Sequence, residues 1–219
     1  LDGIVFKRRR TIMSILLVRH GETDWNVAKR VQGTTNIPLN KNGIEQAKLL
    51  CENLEKENAN ICRIYSSYQV RALSTAQIVG SKYHVPVKVI PGLEEMNLGL
   101  FEGHTWDEIE ALYPDEFKRW QSDKRYNKVP KGESYQDLLE RLFSAFDQII
   151  QEANDDIDSG KDILILTHGA VIMSLLTLKN NLDFKTSYAV LNIENAKAIK
   201  LEQNDLQQIQ QKLYRKQTG

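Results

Sequence analysis

The chain has 219 residues, enough for one substantial domain with a buried core. Its 41% apolar and 26% charged residues are those of an ordinary soluble globular protein. Lysine plus arginine number 29 and aspartate plus glutamate 29, so nothing global attracts nucleic acid or an anionic membrane, and any anion site must be built locally. The apolar runs fall far short of the ~20 residues that span a bilayer. Cys51 and Cys62 give neither a disulfide framework nor metal-ligand spacing; they suit a reducing, cytoplasmic setting as packing residues.

At the N-terminus, Lys7-Arg8-Arg9-Arg10 before an apolar stretch imitates a signal peptide, but no small-residue cleavage site follows. Met13 immediately precedes the first strand, so residues 1–12 are expected to be an upstream extension, 13–203 the domain, and 204–219 a closing helix and tail. Residues 14–18 read as a buried strand, followed by a polar loop. Asn40 caps a helix whose apolar face is Ile44, Ala47, Cys51 and Leu54. Residues 61–65 form a second strand. Ser66-Ser67 then caps a helix with Ala72, Ala76 and Val79 on one face, ending at Gly80. Residues 85–90 give a third strand, with Pro86 placing it at an edge.

Residues 91–104 are irregular, and Thr105-Trp106-Asp107-Glu108 is a capping box for a helix that stops before Pro114. A helix over 133–153 buries Leu138, Leu142, Ala145, Phe146 and Ile149. An acidic loop, 155–160, leads to a strand at 163–166 and a helix over 170–179. Residues 188–193 and 196–201 read as two strands around a turn at Asn195, and Leu206, Ile209 and Leu213 mark one side of the last helix.

Strands alternating with helices predict an α/β fold with a mainly parallel sheet buried on both faces. Ligands in such sheets bind beyond the carboxyl ends of the strands. Two apolar runs stop there in the same manner, ILLVRHGE at 15–22 and ILILTHG at 163–169. The repeat predicts that His20 and His168 face one cleft. A guanidinium at Arg19 disfavours imidazolium, leaving His20 neutral and nucleophilic. Gly21 clears space for a close ligand. Arg71 in the first turn of its helix opposes the dipole, a conflict of a few tenths to about 1 kcal/mol that a bound anion and the free amides would remove. Asn26 and Gln32 can donate to phosphate oxygens, and Glu94-Glu95 follows a strand near the cleft.

Arg-His-Gly-Glu-Thr at 19–23 resembles the signature of the histidine phosphatase superfamily, the phosphoglycerate mutase-like proteins. Trp25-Asn26, Gln32-Gly33, Pro38-Leu39, Ser66-Ser67 through Arg71, and Thr75-Ala76 continue the likeness. So do Leu93-Glu94-Glu95, Gly99, Glu102-Gly103, Gly132-Glu133-Ser134 and Thr167-His168-Gly169. The resemblance implies a single-domain three-layer α/β/α sandwich with a lid at about 100–135. It also implies metal-independent, cofactor-free phosphoryl transfer. His20 would become a phosphohistidine, Arg19, Arg71 and His168 would hold the phosphoryl group, and Glu95, rather than Glu94, would be the acid and base. Asn26, Gln32 and Gly33 would line the phosphate pocket.

The stretch 99–105, GLFEGHT, looks like the phosphatase branch rather than the cofactor-dependent mutases. The expected activity is hydrolysis of a small phosphorylated metabolite. The alternatives are a phosphoglycerate mutase, for which Lys124-Arg125 would serve as a basic pair, and a phospho-ligand binding protein without turnover. A metal held by His20, His168 and Glu95 is disfavoured by the two arginines beside it. Asn36 replaces an acidic residue common in the family. His104 is placed beside a helix cap, His84 at the surface, and Trp106, Arg119, Trp120, Lys124, Arg125 and Tyr126 on the lid. Neither nucleic acid nor membrane is an expected partner, and the oligomeric state is open.

Overall fold

The computed structural model describes residues 14–153 and 160–214. The expected extension over 1–12 and most of the acidic loop lie outside the described residues. The strands are β1 (Ser14–Arg19), β2 (Ile61–Ser66), β3 (Val87–Val89), β4 (Asp162–Thr167) and β5 (Ala198–Glu202). They form one sheet in the order β3-β2-β4-β1-β5. β1 is parallel to β4, and β2 is parallel to both β4 and β3, while β5 runs antiparallel to β1. Between them lie α1 (Asp24–Val27), α2 (Lys41–Lys56), α3 (Val70–Tyr83), α4 (Trp106–Leu112), α5 (Pro114–Ser122), α6 (Tyr135–Glu152), α7 (Gly169–Lys179), α8 (Ser187–Val190) and α9 (Gln203–Tyr214).

Alternation along the central strands explains the layers. Ile15, Leu17, Ile163 and Ile165 pack with Leu138 and Leu142 of α6, Val171 and Leu175 of α7, and Ile209 of α9. Leu16, Val18, Leu164 and Leu166 point the other way, onto Leu50 and Leu54 of α2 and Ala76 and Val79 of α3. Because both faces are covered, the strands are apolar throughout instead of alternating with polar residues. The chain is therefore a single α/β domain in three layers. α9 docks on its own domain through Leu206, Ile209 and Leu213, all buried. No helix among the described residues is long and apolar enough to cross a membrane.

The expected caps hold, with Asn40 and Thr105 each capping its helix through the side chain, and Ser134 does the same for α6. β3 is an edge strand as expected, although it is shorter than expected, and β5 forms the other edge. Other expectations need correction. Ile44 is 39% exposed; the buried stripe of α2 runs through Gly43, Ala47, Leu50, Cys51 and Leu54. α3 starts after Gln69, not at the Ser66-Ser67 pair, and its first amide donates to Asn36 Oδ1. It also continues past Gly80 to a left-handed His84. Gly80 serves packing, since a Cβ there would lie 2.8 Å from the Val85 carbonyl oxygen. α5 was not anticipated, because Pro114 both stops α4 and opens the next helix at its first position. The expected strand at 188–193 is instead α8 followed by a loop, and its alternating residues Tyr188 and Val190 are exposed.

Gly43 allows the start of α2 to lie against the backbone that follows β1. A Cβ at this position would meet Glu22 N at 2.7 Å, and neither backbone can yield cheaply. Gly43→Ala would favour an isolated helix by about 1 kcal/mol. In this protein it is expected to destabilise by about 1–3 kcal/mol, measured by urea denaturation. An unchanged or increased midpoint would contradict this account of the contact.

Candidate active site

Because β1 and β4 are adjacent, parallel and in register from Ser14↔Asp162 to Arg19↔Thr167, the next residues of both chains emerge side by side. The His20 amide donates to the Thr167 carbonyl at 3.0 Å, and the rings of His20 and His168 lie 5.3 Å apart. The two strand ends therefore do meet in one cleft, a cavity of about 780 Å³ that Arg19, His20, Asn26, Gln32, Gly33, Arg71, Glu95 and Gly169 line. His168 adjoins it through its ring contact with His20.

The His20 ring is held in one tautomer. Its Nδ1 lies 2.7 Å from the Gly21 carbonyl, which can only accept, so Nδ1 carries the proton and Nε2 keeps its lone pair. Burial pushes the His20 pKa well below its usual range, and Arg71 and Arg19 push it further. His168 is depressed as strongly, by burial first and then by Arg71 and its other cationic and imidazole neighbours. Gly21, however, does not face a ligand. Its missing side chain accommodates the Gly43 carbonyl of α2. Gly169 is under no such constraint, because a Cβ there would make only ordinary van der Waals contact with the Arg19 guanidinium, at 3.4 Å and beyond.

Arg71 is fully buried at the start of α3, with its pKa pushed down to about 10 by burial, so it remains a cation at neutral pH. Its Nη1 donates to Thr35 O and its Nη2 to Gly33 O. Arg19 Nη1 donates to Ile193 O. The Nε atoms of both arginines, and both ring nitrogens of His168, are buried without a protein partner. These unmet polar groups converge with His20 and match the oxygens of a tetrahedral oxyanion. The first amide of α3 is not available for that anion, since Asn36 takes it.

Glu95, not Glu94, reaches the cavity. One oxygen of Glu95 accepts from the Ala170 amide at the start of α7, 3.2 Å away, and the other from Met96 N. Glu94 turns away to cap Gly92 N and pair with Arg141. Asn26 uses its Oδ1 to accept from Thr23, completing a capping box on α1 and leaving its NH₂ group for the cavity it lines. Gln32 is 8% exposed, and its Oε1 has no partner.

A supporting layer was missed in the sequence. Gln69 accepts from Glu95 N at 2.7 Å and donates to Gly33 O at 2.9 Å, joining the acid to the arginine loop. Glu102 receives the amides and hydroxyls of both Thr34 and Thr35, bracing the carbonyls that hold Arg71. Arg141 grips the carbonyls of Gly92, Glu94 and Glu95 while bonded to Glu133. Asn195 Nδ2 donates to His20 O, from the turn expected at that residue. Glu102, Glu133 and Gln69 lay within segments the sequence had marked, and Asn195 at a marked turn, but no local pattern distinguishes the roles of Gln69 or Arg141.

On the lid side, Trp106, Phe117, Trp120 and Lys124 line the cavity. Arg119 and Tyr126 are not among the lining residues and are exposed. Arg125 is committed to Gln136 and Leu213 O, so it does not form a basic pair with Lys124 in the cavity. His104 bonds Glu102 O and packs on Tyr113, away from the cavity lining, and His84 is exposed.

In the unfolded chain both histidines take up protons near 6.5, whereas the folded rings resist protonation. The unfolded state then binds more protons below that pH, so stability is fully present above 6.5 and is lost as pH falls toward the folded values. Urea denaturation between about pH 7.5 and about pH 5 is expected to show this decline, and the double variant His20→Ala/His168→Ala to flatten it. A flat wild-type profile would contradict the neutral pair.

The geometry agrees with comparisons to known proteins. The family model of the histidine phosphatase superfamily (branch 1) matches residues 15–214. Phosphoglycerate mutase-like protein 4 of Arabidopsis thaliana is 36% identical over 163 residues, covering 74% of this chain and 68% of the relative. The metal-independent phosphoserine phosphatase of the same plant is 32% identical over 166 residues, covering 75% and 67%. The mycobacterial glucosyl-3-phosphoglycerate phosphatase, solved with VO3, superposes with a TM-score of 0.73 at 28% identity, covering 86% of this chain and 92% of that one. With a family match spanning both histidines, both arginines and Glu95, the chain belongs to the histidine phosphatase superfamily.

Proposed function

We propose that the protein is a metal-independent phosphomonoesterase that hydrolyses a small phosphorylated metabolite through a phosphohistidine. The carrying observation is the neutral His20 with Nδ1–H fixed on Gly21 O, facing a cavity already furnished with two guanidinium groups, Arg71 fully buried and Arg19 partly. His20 Nε2 attacks phosphorus, the N–P bond forms as the ester O–P bond breaks, and Glu95 in its acid form gives a proton to the leaving oxygen. Water then attacks phosphorus, Glu95 takes its proton, and the N–P electron pair returns to Nε2. Arg19, Arg71 and His168 offer donors to the phosphoryl oxygens throughout, which is most of what phosphoryl transfer requires. Asn26 and Gln32 extend that cradle, Gly33 holds Arg71, and the 100–135 segment serves as the lid. Reducing, cytoplasmic surroundings suit the thiols of Cys51 and Cys62.

A phosphoglycerate mutase is the second reading, favoured by the name of the Arabidopsis relative and by Lys124 in the cavity wall. It differs only in where the phosphohistidine sends its phosphoryl group. Phosphate release from a panel of phosphomonoesters in EDTA tests the first reading. Isomerised phosphoglycerate without phosphate release, dependent on a bisphosphate primer, would establish the second.

His20→Ala is expected to lower kcat by at least roughly 10³-fold. Glu95→Gln is expected to cost roughly 10²–10⁴-fold on alkyl esters and much less on nitrophenyl phosphate, whose leaving oxygen needs no proton. Equal losses on both ester types would remove Glu95 as the acid. Glu102→Gln, which faces amide donors with an NH₂ group, is expected to weaken vanadate inhibition about tenfold while the fold persists.

A further inference from the structure

The phosphoryl site occupies one end of a cavity of about 780 Å³, within the roughly 300–1,000 Å³ that holds a drug-sized ligand. Part of its remaining lining is an aromatic wall, beside polar residues such as Gln121, Tyr188 and Asn192. Trp106 and Trp120 stack at 5.5 Å with their planes 5° apart, and Phe117 lies 6.1 Å from Trp120. Met173 of α7 and Leu191 from the loop after α8 continue the apolar surface. Trp120 is 2% exposed and locked by Phe101 and Phe117, so this wall is built into the core instead of assembled from loose surface groups.

One cation stands in that wall. The Lys124 ammonium lies 4.8 Å over the Trp120 ring and lines the cavity, and among the described residues it has no ion-pair partner. Burial lowers its pKa, with Asp183 partly opposing that shift. A half-buried ammonium resting on a ring face, with the Asp183 carboxylate near enough to act on it but not paired with it, is under-compensated. The other cations on this side of the cavity differ: Arg30 is already bonded to Glu108 and Gly103 O, and Lys29 is an exposed side chain.

We infer that the end of the cavity away from the histidines is a leaving-group site for a flat apolar ring carrying a terminal carboxylate, with the ring against Trp106 and the carboxylate on Lys124. This inference rests on the phosphomonoesterase reading for the identity of the leaving group, but its contacts are made in binding. Amino-alcohol esters are poor ligands here, because an ammonium would enter an aromatic wall already occupied by Lys124.

Calorimetric titration with non-hydrolysable phosphonates separates this inference from catalysis. The probes are 4-(carboxymethyl)benzylphosphonate, benzylphosphonate and 2-amino-4-phosphonobutyrate, tested on wild type, Lys124→Met, Trp106→Ala and Arg119→Met. Wild type is expected to bind the carboxylated ring about tenfold more tightly than benzylphosphonate, and both more tightly than the amino acid phosphonate. Lys124→Met is expected to reduce the carboxylate advantage below about twofold, whereas Arg119→Met, the same charge change outside the cavity, retains it. Trp106→Ala is expected to weaken both ring probes about tenfold without altering inorganic phosphate binding. Preference for the amino acid phosphonate, or a carboxylate advantage that survives Lys124→Met, would overturn the inference. Retained discrimination in a protein that hydrolyses no ester would leave this site standing and remove the phosphatase reading.

Discussion

The parallel pairing of β1 with β4 is the interaction on which the site depends. Six consecutive residues of each strand are in register, and the hydrogen bond from His20 N to Thr167 O extends that pairing beyond the last strand residue. Two imidazoles therefore leave the sheet at the same height. Their separation is set by a backbone ladder buried on both faces, not by flexible loops. Rigid placement of this kind is what a transfer reaction needs, because phosphoryl transfer is governed mainly by position and charge.

Such placement has an electrostatic cost. Arg71 is fully buried, Arg19 is desolvated beside it, and the two histidines are kept neutral first by their own burial and then by these cations. Backbone carbonyls of Gly33, Thr35 and Ile193 accept some of the guanidinium protons. They orient the cations without neutralising them, as a carboxylate would. Glu102 acts one step removed, holding the loop that supplies two of those carbonyls. Gln69 and Arg141 then connect that loop and the Glu95 loop to the rest of the domain, so the acid and the cations are positioned by one network.

The other end of the cavity follows a different rule. Its wall is made by α4 and α5, two short helices joined at Pro114, whose aromatic rings pack on one another and on Phe101. Burial of these rings stabilises the roof, and the same rings supply the cavity surface. A change at Trp106 thus affects both recognition and packing, while Lys124 lies at the edge where charge can be altered with little disturbance to the core.

Much of this was legible in the sequence because short-range patterns carry it. The apolar runs before His20 and His168, the caps at Asn40 and Thr105, and the stripe on α6 each depend on spacing within one element. The choice of Glu95 over Glu94 came from the family likeness and matches the side chain that faces the cavity. Local pattern misled where two readings share one signature. The alternation at 188–193 suits a strand, but β1 pairs with β5 only from Ala198 onward, and the preceding segment instead uses its backbone and Asn195 to hold Arg19 and His20. Gly21 and Gly80 look like ligand clearance and helix stop, yet Gly21 is needed where the α2 backbone touches it and Gly80 where the chain turns back past α3 at Val85. By itself the sequence determined the sheet, the paired histidines and the principal charged groups, because periodicity and local chemistry act over a few residues. The tertiary structure alone decided the Gln69, Glu102 and Arg141 network and the aromatic wall around Lys124, because those contacts join residues far apart in the chain through burial and hydrogen bonding that no local spacing encodes.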